Sequence, residues 1–177
     1  MTLKDFIFDD TNHLIGLQQH AFFGKSVFLI LVTKNFLIGL ELNKSLSVEN
    51  TPTLWAQATP EKNTPRGSFS NPYSYLKEKY VRAVEKKYLF DQSIQSISSR
   101  NFRIDRIDIE NVHYEPVKIA GFDYPHEGRL HIRYKKRDKT SRGSRTKHEA
   151  SFIILGEQKA AEIARYITKQ PAEEMAL

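Results

Sequence analysis

Six histidines, at positions 13, 20, 113, 126, 131 and 148, and the carboxylates near them are the side chains whose types could support catalysis or hold a metal. The histidines are scattered, with no metal-ligand spacing on a common helix. Asp9, Asp10 and His13 could be drawn as ligands, but an acidic pair ahead of a strand is ordinary turn composition. Asp123 and His126 flank Pro125 in Asp-Tyr-Pro-His-Glu-Gly, which turn chemistry explains better than an acid–base pair. Asp123 with Glu157 and Lys159 would suit a metal-dependent nuclease only if Glu-x-Lys lay on a strand, and here it opens a helix after Gly156. There is no Gly-rich phosphate loop and no Gly-x-Ser-x-Gly elbow. With no cysteine, thiol catalysis, disulfides and thiolate metal sites are excluded. The residue types therefore point away from an enzyme, with no catalytic residue, metal or cofactor expected.

Charge is the stronger signal. Between Arg129 and Lys147 nine Lys or Arg residues face one acid, Asp138, a net +8 in nineteen residues, while the whole chain carries +6. The remainder is slightly acidic, so the basic character belongs to one segment. Arg133, Lys135, Lys136, Arg137, Lys139, Arg142, Arg145 and Lys147 are the candidate anion-binding residues. Such a run suits either an anion-binding element or a solvated loop that blunts a sheet edge.

The elements that must position this charge can be read along the chain. Residues 13–23 alternate loosely, 26–32 form a compact β-branched and aromatic run, and Thr33-Lys34-Asn35 is a turn before a strand over 36–42. Lys34 and Asn35 interrupt the apolar stretch 26–42, which is too short for a bilayer span of about twenty residues. Gly39 inside its strand signals a bulge or a close backbone approach. Residues 43–71 hold Pro52, Pro60 and Pro65 amid Ser, Thr and Asn and read as a loop, with Trp55 as a local anchor. Asn71 and Pro72 then open a helix over 72–98, whose apolar stripe includes Leu76, Tyr80, Val84 and Tyr88.

A second strand block begins near Phe102, includes Ile104, Ile107, Ile109 and Val112, and continues through residues 117–121. In 128–135 the alternation is clean: Leu130, Ile132 and Tyr134 face one way, Arg129, His131, Arg133 and Lys135 the other. Residues 150–155 are another strand. Pairing Tyr134 with His148 places Arg133 opposite Glu149, Ile132 opposite Ala150 and Leu130 opposite Phe152. Glu149 would then neutralise one cation and leave Lys135 to Lys147 unpaired. Gly156 breaks the strand, and 157–169 form a helix with Ala160, Ile163 and Ile167 on one side and Lys169 at its C-terminal end.

Seven or so antiparallel strands and one C-terminal helix are the order of a pleckstrin-homology-like (PH-like) barrel. The hairpin Phe28-Leu-Ile-Leu-Val-Thr-Lys-Asn-Phe-Leu-Ile-Gly-Leu, the step Ile107-Asp-Ile-Glu-Asn-Val, and Gly128-Arg-Leu-His-Ile resemble strands of bacterial PH-like domains. Ala150-Ser-Phe-Ile-Ile-Leu-Gly and the helix from Glu157 resemble the family's last strand and capping helix. The resemblance covers about residues 13–42 and 102–169. It implies an α+β fold, an antiparallel PH-like barrel or sandwich closed by a C-terminal helix, over a single domain of residues 1–170. Residues 43–101 would be an insertion and 171–177 a tail. The family implies a non-enzymatic interaction module with no catalytic residues to carry over. Its better-known members hold phosphoinositide headgroups on the first hairpin, whereas here the charge precedes the last strand.

The expected partner is accordingly an anionic lipid surface or a protein, engaged through the basic hairpin. A nonspecific nucleic-acid-binding protein is the alternative and a metal-dependent nuclease a weaker one. Self-association into a homo-oligomer through strand edges fits the same pattern. The N-terminus shows no basic start followed by a long apolar run, so a cytoplasmic location, with peripheral membrane attachment, is expected.

Overall fold

A computed structural model describes residues 2–20, 24–42, 47–48, 66–67, 81–82, 92–119, 126–137 and 145–169. Three strands come first: β1 (His13–His20), β2 (Gly24–Val32) and β3 (Phe36–Glu41). The two-residue strands β4 (Ser47–Val48) and β5 (Arg66–Gly67) pair with each other in parallel inside the insertion. Then follow β6 (Phe102–Asp105), β7 (Ile109–Glu115), β8 (His126–Arg137), β9 (Arg145–Leu155) and the helix α1 (Ala160–Thr168). The seven longer strands form one antiparallel sheet in the order β6-β3-β2-β1-β9-β8-β7.

That order dictates curvature. β6 and β7 are opposite edges of the sheet, yet only the 3-10 turn Arg106–Asp108 separates them in sequence. Six strand spacings of about 4.8 Å would hold the edges of a flat sheet about 29 Å apart. The four Cα–Cα steps from Asp105 to Ile109 span at most about 15 Å. The sheet must therefore curl until its edges meet at this corner. The edges are joined by chain and not by a ladder, so among the described residues hydrogen bonding does not close the sheet into a barrel.

Both sides of the sheet are packed at β2. Phe28, Ile30 and Val32 point to one side with Leu37, Leu130, Ile132, Phe152 and Ile154, and α1 covers that side with Ala160, Ile163, Ala164 and Ile167. Leu29 and Leu31 point to the other with Ile15, Leu17, Ile38 and Leu40, beneath Leu3 and Phe6 of the N-terminal segment and Ile94. A strand buried on both faces must be apolar throughout, which is why residues 27–32 form a run and do not alternate. Gly39 is the close approach its position suggested: β3 keeps register, and an added Cβ would lie 2.0 Å from Cε1 of Phe102. That space lets the Phe102 ring stack on Phe152, 5.7 Å between centroids.

Arg106, at the corner, is 3% exposed. Its Nη1 donates to the carbonyls of Thr33 and Lys34 (both 3.0 Å), and its Nη2 to those of Tyr166 (2.6 Å) and Lys169. A cation thus meets the negative end of α1 and ties it to the β2–β3 turn. Helical period alone assigned that helix end to Lys169 and gave no sign of Arg106.

The insertion is fastened at its base. Glu41 N donates to Asn101 Oδ1 (2.8 Å), and the Glu41 carboxylate accepts from Arg100 (2.8 Å) and Ser98 (2.6 Å). Of the helix expected over 72–98, Val81 and Arg82 are helical, Gln92–Ser96 is a 3-10 helix, and Ile97 and Ser98 are not helical; the rest, with Trp55, lies outside the described residues. Residues 116–119 are irregular rather than strand. α1 begins at Ala160, three residues later than expected, because Gln158 is otherwise engaged: its side chain accepts from Ile15 N (2.8 Å) and donates to Ile15 O (2.9 Å). β9 pairs with β1 only at Gly16 and Leu17, and this amide extends the ladder by one step.

Candidate anion-binding hairpin

β8 and β9 pair in the register that alternation predicts, with Tyr134 opposite His148, Arg133 opposite Glu149, Ile132 opposite Ala150 and Leu130 opposite Phe152. The strands run further than the sequence suggested, to Arg137 and from Arg145, so residues 138–144 connect them. Lys139 and Arg142 fall in that connection, outside the described residues. β7 pairs with β8 only as far as Tyr134. Beyond it, Lys135↔Lys147, Lys136↔Thr146 and Arg137↔Arg145 form a two-stranded stem whose backbones pair only with each other among the described residues.

The stem is less cationic than its sequence. Lys135 Nζ lies 2.7 Å from Glu110 Oε1, and Arg145 Nη1 lies 3.1 Å from Asp108 Oδ1. These two cations were expected to be unpaired, and the structure corrects that. The curl brings the Arg106–Asp108 turn and the start of β7 alongside the stem, which the pairing of residues 129–155 by themselves could not include. The signal available was the acid pair in Asp108-Ile-Glu110. Glu149 also does more than expected, meeting both Arg133 (3.2 Å) and His131 (3.1 Å). The Lys135 ammonium holds the Glu110 carboxyl below its ordinary range, and hydrogen bonds from His131 and Arg133 do the same for Glu149. Lys136 and Lys147 are exposed and make no ion pair with a described residue.

The aromatic rings around the stem, Tyr134, His131 and His148, are sheet residues. Tyr134 packs against the core and stacks with His148, 5.6 Å and 25° apart, and burial pushes its hydroxyl pKa up. His148 Nε2 is also 2.9 Å from Thr146 Oγ1. His113 and His131 are cross-strand neighbours with ring centroids 6.3 Å apart. His126 Nε2 accepts from Ile119 N (2.9 Å).

Among the described residues no group of three or more His, Asp or Glu is placed to hold a metal ion. Asp9 is occupied by the turn it was suspected of making, accepting from the backbone of Thr11 (2.7 Å) and Asn12 (2.9 Å). Lys159 of the nuclease constellation pairs with Asp10 (3.2 Å), Glu157 is exposed ahead of α1, and Asp123 lies outside the described residues. A cavity of about 140 Å³ sits between the corner and the end of α1, lined by Arg106, Glu110, Val112, Ile167 and Lys169 among others; no Lys or Arg of the hairpin lines it. No described helix is long and apolar enough to cross a membrane. Comparison with known proteins finds no family model, no curated protein and no solved structure that matches the chain.

Proposed function

We propose that this chain is a PH-like interaction module without catalytic activity, which holds a polyanionic surface through the β8–β9 stem. Support for the PH-like part comes from the order of the elements: a four-strand meander, a three-strand meander and one capping helix. The observation that carries the binding part is the stem itself, where basic residues lie on a two-stranded extension past the edge strand β7. Lys135 and Arg145 are met there by Glu110 and Asp108, whereas Lys136 and Lys147 are exposed and in no ion pair with a described residue. At about 1 kcal/mol per basic residue near an anionic surface, several such residues give measurable, salt-sensitive binding.

The test is co-sedimentation of the full chain with phosphatidylserine vesicles and retention on heparin at low salt. Wild type is compared with a variant carrying Gln at Lys135, Lys136, Arg137, Lys139 and Arg142. Wild type should bind at least one polyanion and the variant none. If wild type binds neither, the anion reading is wrong and a protein partner is left.

A further inference from the structure

We infer that Asp108 and Glu110 are an internal mask on the stem: they occupy the cations Lys135 and Arg145, and a polyanion binds by displacing them. This regulation rests on the polyanion reading above. Lys135, Arg145 and Lys147 share one face of the stem, since Lys135 and Lys147 are cross-strand partners and Arg145 lies two residues before Lys147. Asp108, from the corner turn, and Glu110, from the start of β7, meet two of these cations. Lys135 Nζ is 2.7 Å from Glu110 Oε1, and Arg145 Nη1 is 3.1 Å from Asp108 Oδ1. The Lys147 charge is also felt at the Glu110 carboxylate.

A β-bulge aims Glu110 at the stem. Ile109 pairs with Tyr134 and Asn111 with Arg133, so Glu110 has no partner on β8. Ile109, Val112 and Tyr114 all pack on the core beneath α1. Strict alternation back from Tyr114 and Val112 would send Glu110 into that core and Ile109 outward. The extra residue reverses both, and so brings a carboxylate to Lys135 that regular pairing could not.

The mask is displaceable. The side chains of Lys135 and Arg145 keep 41% and 47% of their surface exposed, so an anion reaches them without unfolding the stem. Ion pairs this open are weak, each favouring the closed arrangement by a factor of about 1.4 to 5. A ligand that presents several anionic groups at once can replace both carboxylates together and engage Lys147 with them, whereas a simple anion replaces one. If the acids instead braced the stem for binding, removing them would weaken it.

The experiment measures binding of the full chain to fluorescein-labelled heparin by anisotropy and to phosphatidylserine vesicles by co-sedimentation, both at about 0.1 M salt. Asp108→Asn with Glu110→Gln should bind whichever probe wild type binds about tenfold tighter, because two ion pairs no longer have to be broken. Glu110→Gln alone, at an exposed position, should gain about threefold. Adding Lys135→Gln and Arg145→Gln to the acid-free variant should remove the gain. Glu157→Gln with Glu162→Gln raises the net charge equally, but these exposed acids lie past the other end of β9. That control should change affinity by less than about twofold. Circular dichroism melting checks that each variant stays folded. Unchanged or weaker binding without Asp108 and Glu110, or an equal gain from the Glu157 and Glu162 control, overturns the mask while polyanion binding stands. Absence of binding by both wild type and the acid-free variant overturns the polyanion reading as well.

Discussion

Arg106 carries its charge into a site where carbonyl oxygens from the β2–β3 turn and the end of α1 converge. Removing it leaves those carbonyls short of a donor inside the fold, which costs more than the hydrogen bonds themselves return. Arg106→Ala should lower stability by about 3 kcal/mol in urea denaturation, and Arg106→Lys should recover only part, because an ammonium cannot fork toward two elements. An unchanged denaturation midpoint for Arg106→Ala would show that the clamp is dispensable. Glu41 gives a second test. Burial pushes its pKa up, but hydrogen bonds from Ser98, Arg100 and Ser26 and the Arg100 charge outweigh that and hold it below the ordinary value. A folded pKa below the unfolded one means the network stabilises above pH of about 4.3 and is lost as pH falls through the folded value. The stability gap between wild type and Glu41→Gln should therefore be full at pH 6 and shrink toward pH 3. A gap independent of pH would mean that the carboxylate charge is not what the network uses.

Among elements, the covers of the sheet differ in how they were announced. α1 declares itself by period, and its buried residues Ala160, Ile163, Ala164 and Ile167 include the three that the pattern picks out. The opposite cover does not. Leu3 and Phe6 lie in or beside a three-residue 3-10 turn, and Ile94 in a five-residue one, segments too short to carry a period. Ile94 is nevertheless fully buried among Leu29, Leu31, Ile38 and Leu40. Ile94→Ala should cost about 2–4 kcal/mol in thermal or urea unfolding, the range for truncating a buried Ile. A cost below about 0.5 kcal/mol, typical of surface sites, would mean that the base of the insertion is not part of the core.

At the scale of the molecule, β2 belongs to both cores, and each packs against one of its faces. Losing either cover exposes that strand, so the two sides should unfold together. Native-state hydrogen exchange should show the amides of Val27 to Val32 opening only with global unfolding. Those of Lys135 to Arg137, whose strands have no partner but each other among the described residues, should exchange through local opening at much lower free energy. Equal protection of stem and β2 would show that other parts of the chain cover the stem.

What the sequence determined by itself is local and periodic. It settled the β2–β3 hairpin, the outward and inward faces of β8, the β8–β9 register and the apolar side of α1. Strand alternation and helical period are written in neighbouring residues, and a one-residue slip of that register would turn Leu130, Ile132, Ala150 and Phe152 out of the core. Of the candidate site, the basic residues were legible but their electrostatic surroundings were not. Glu110 and Asp108 lie some 25 to 37 residues before the cations they meet, and only the curl of the sheet brings them together. The same holds for Arg106 beneath α1 and for Glu41 beside Arg100. Tertiary structure decided which charges are neutralised and which, like Lys136 and Lys147, stay open to a partner, because ion pairs depend on distance in space and not along the chain.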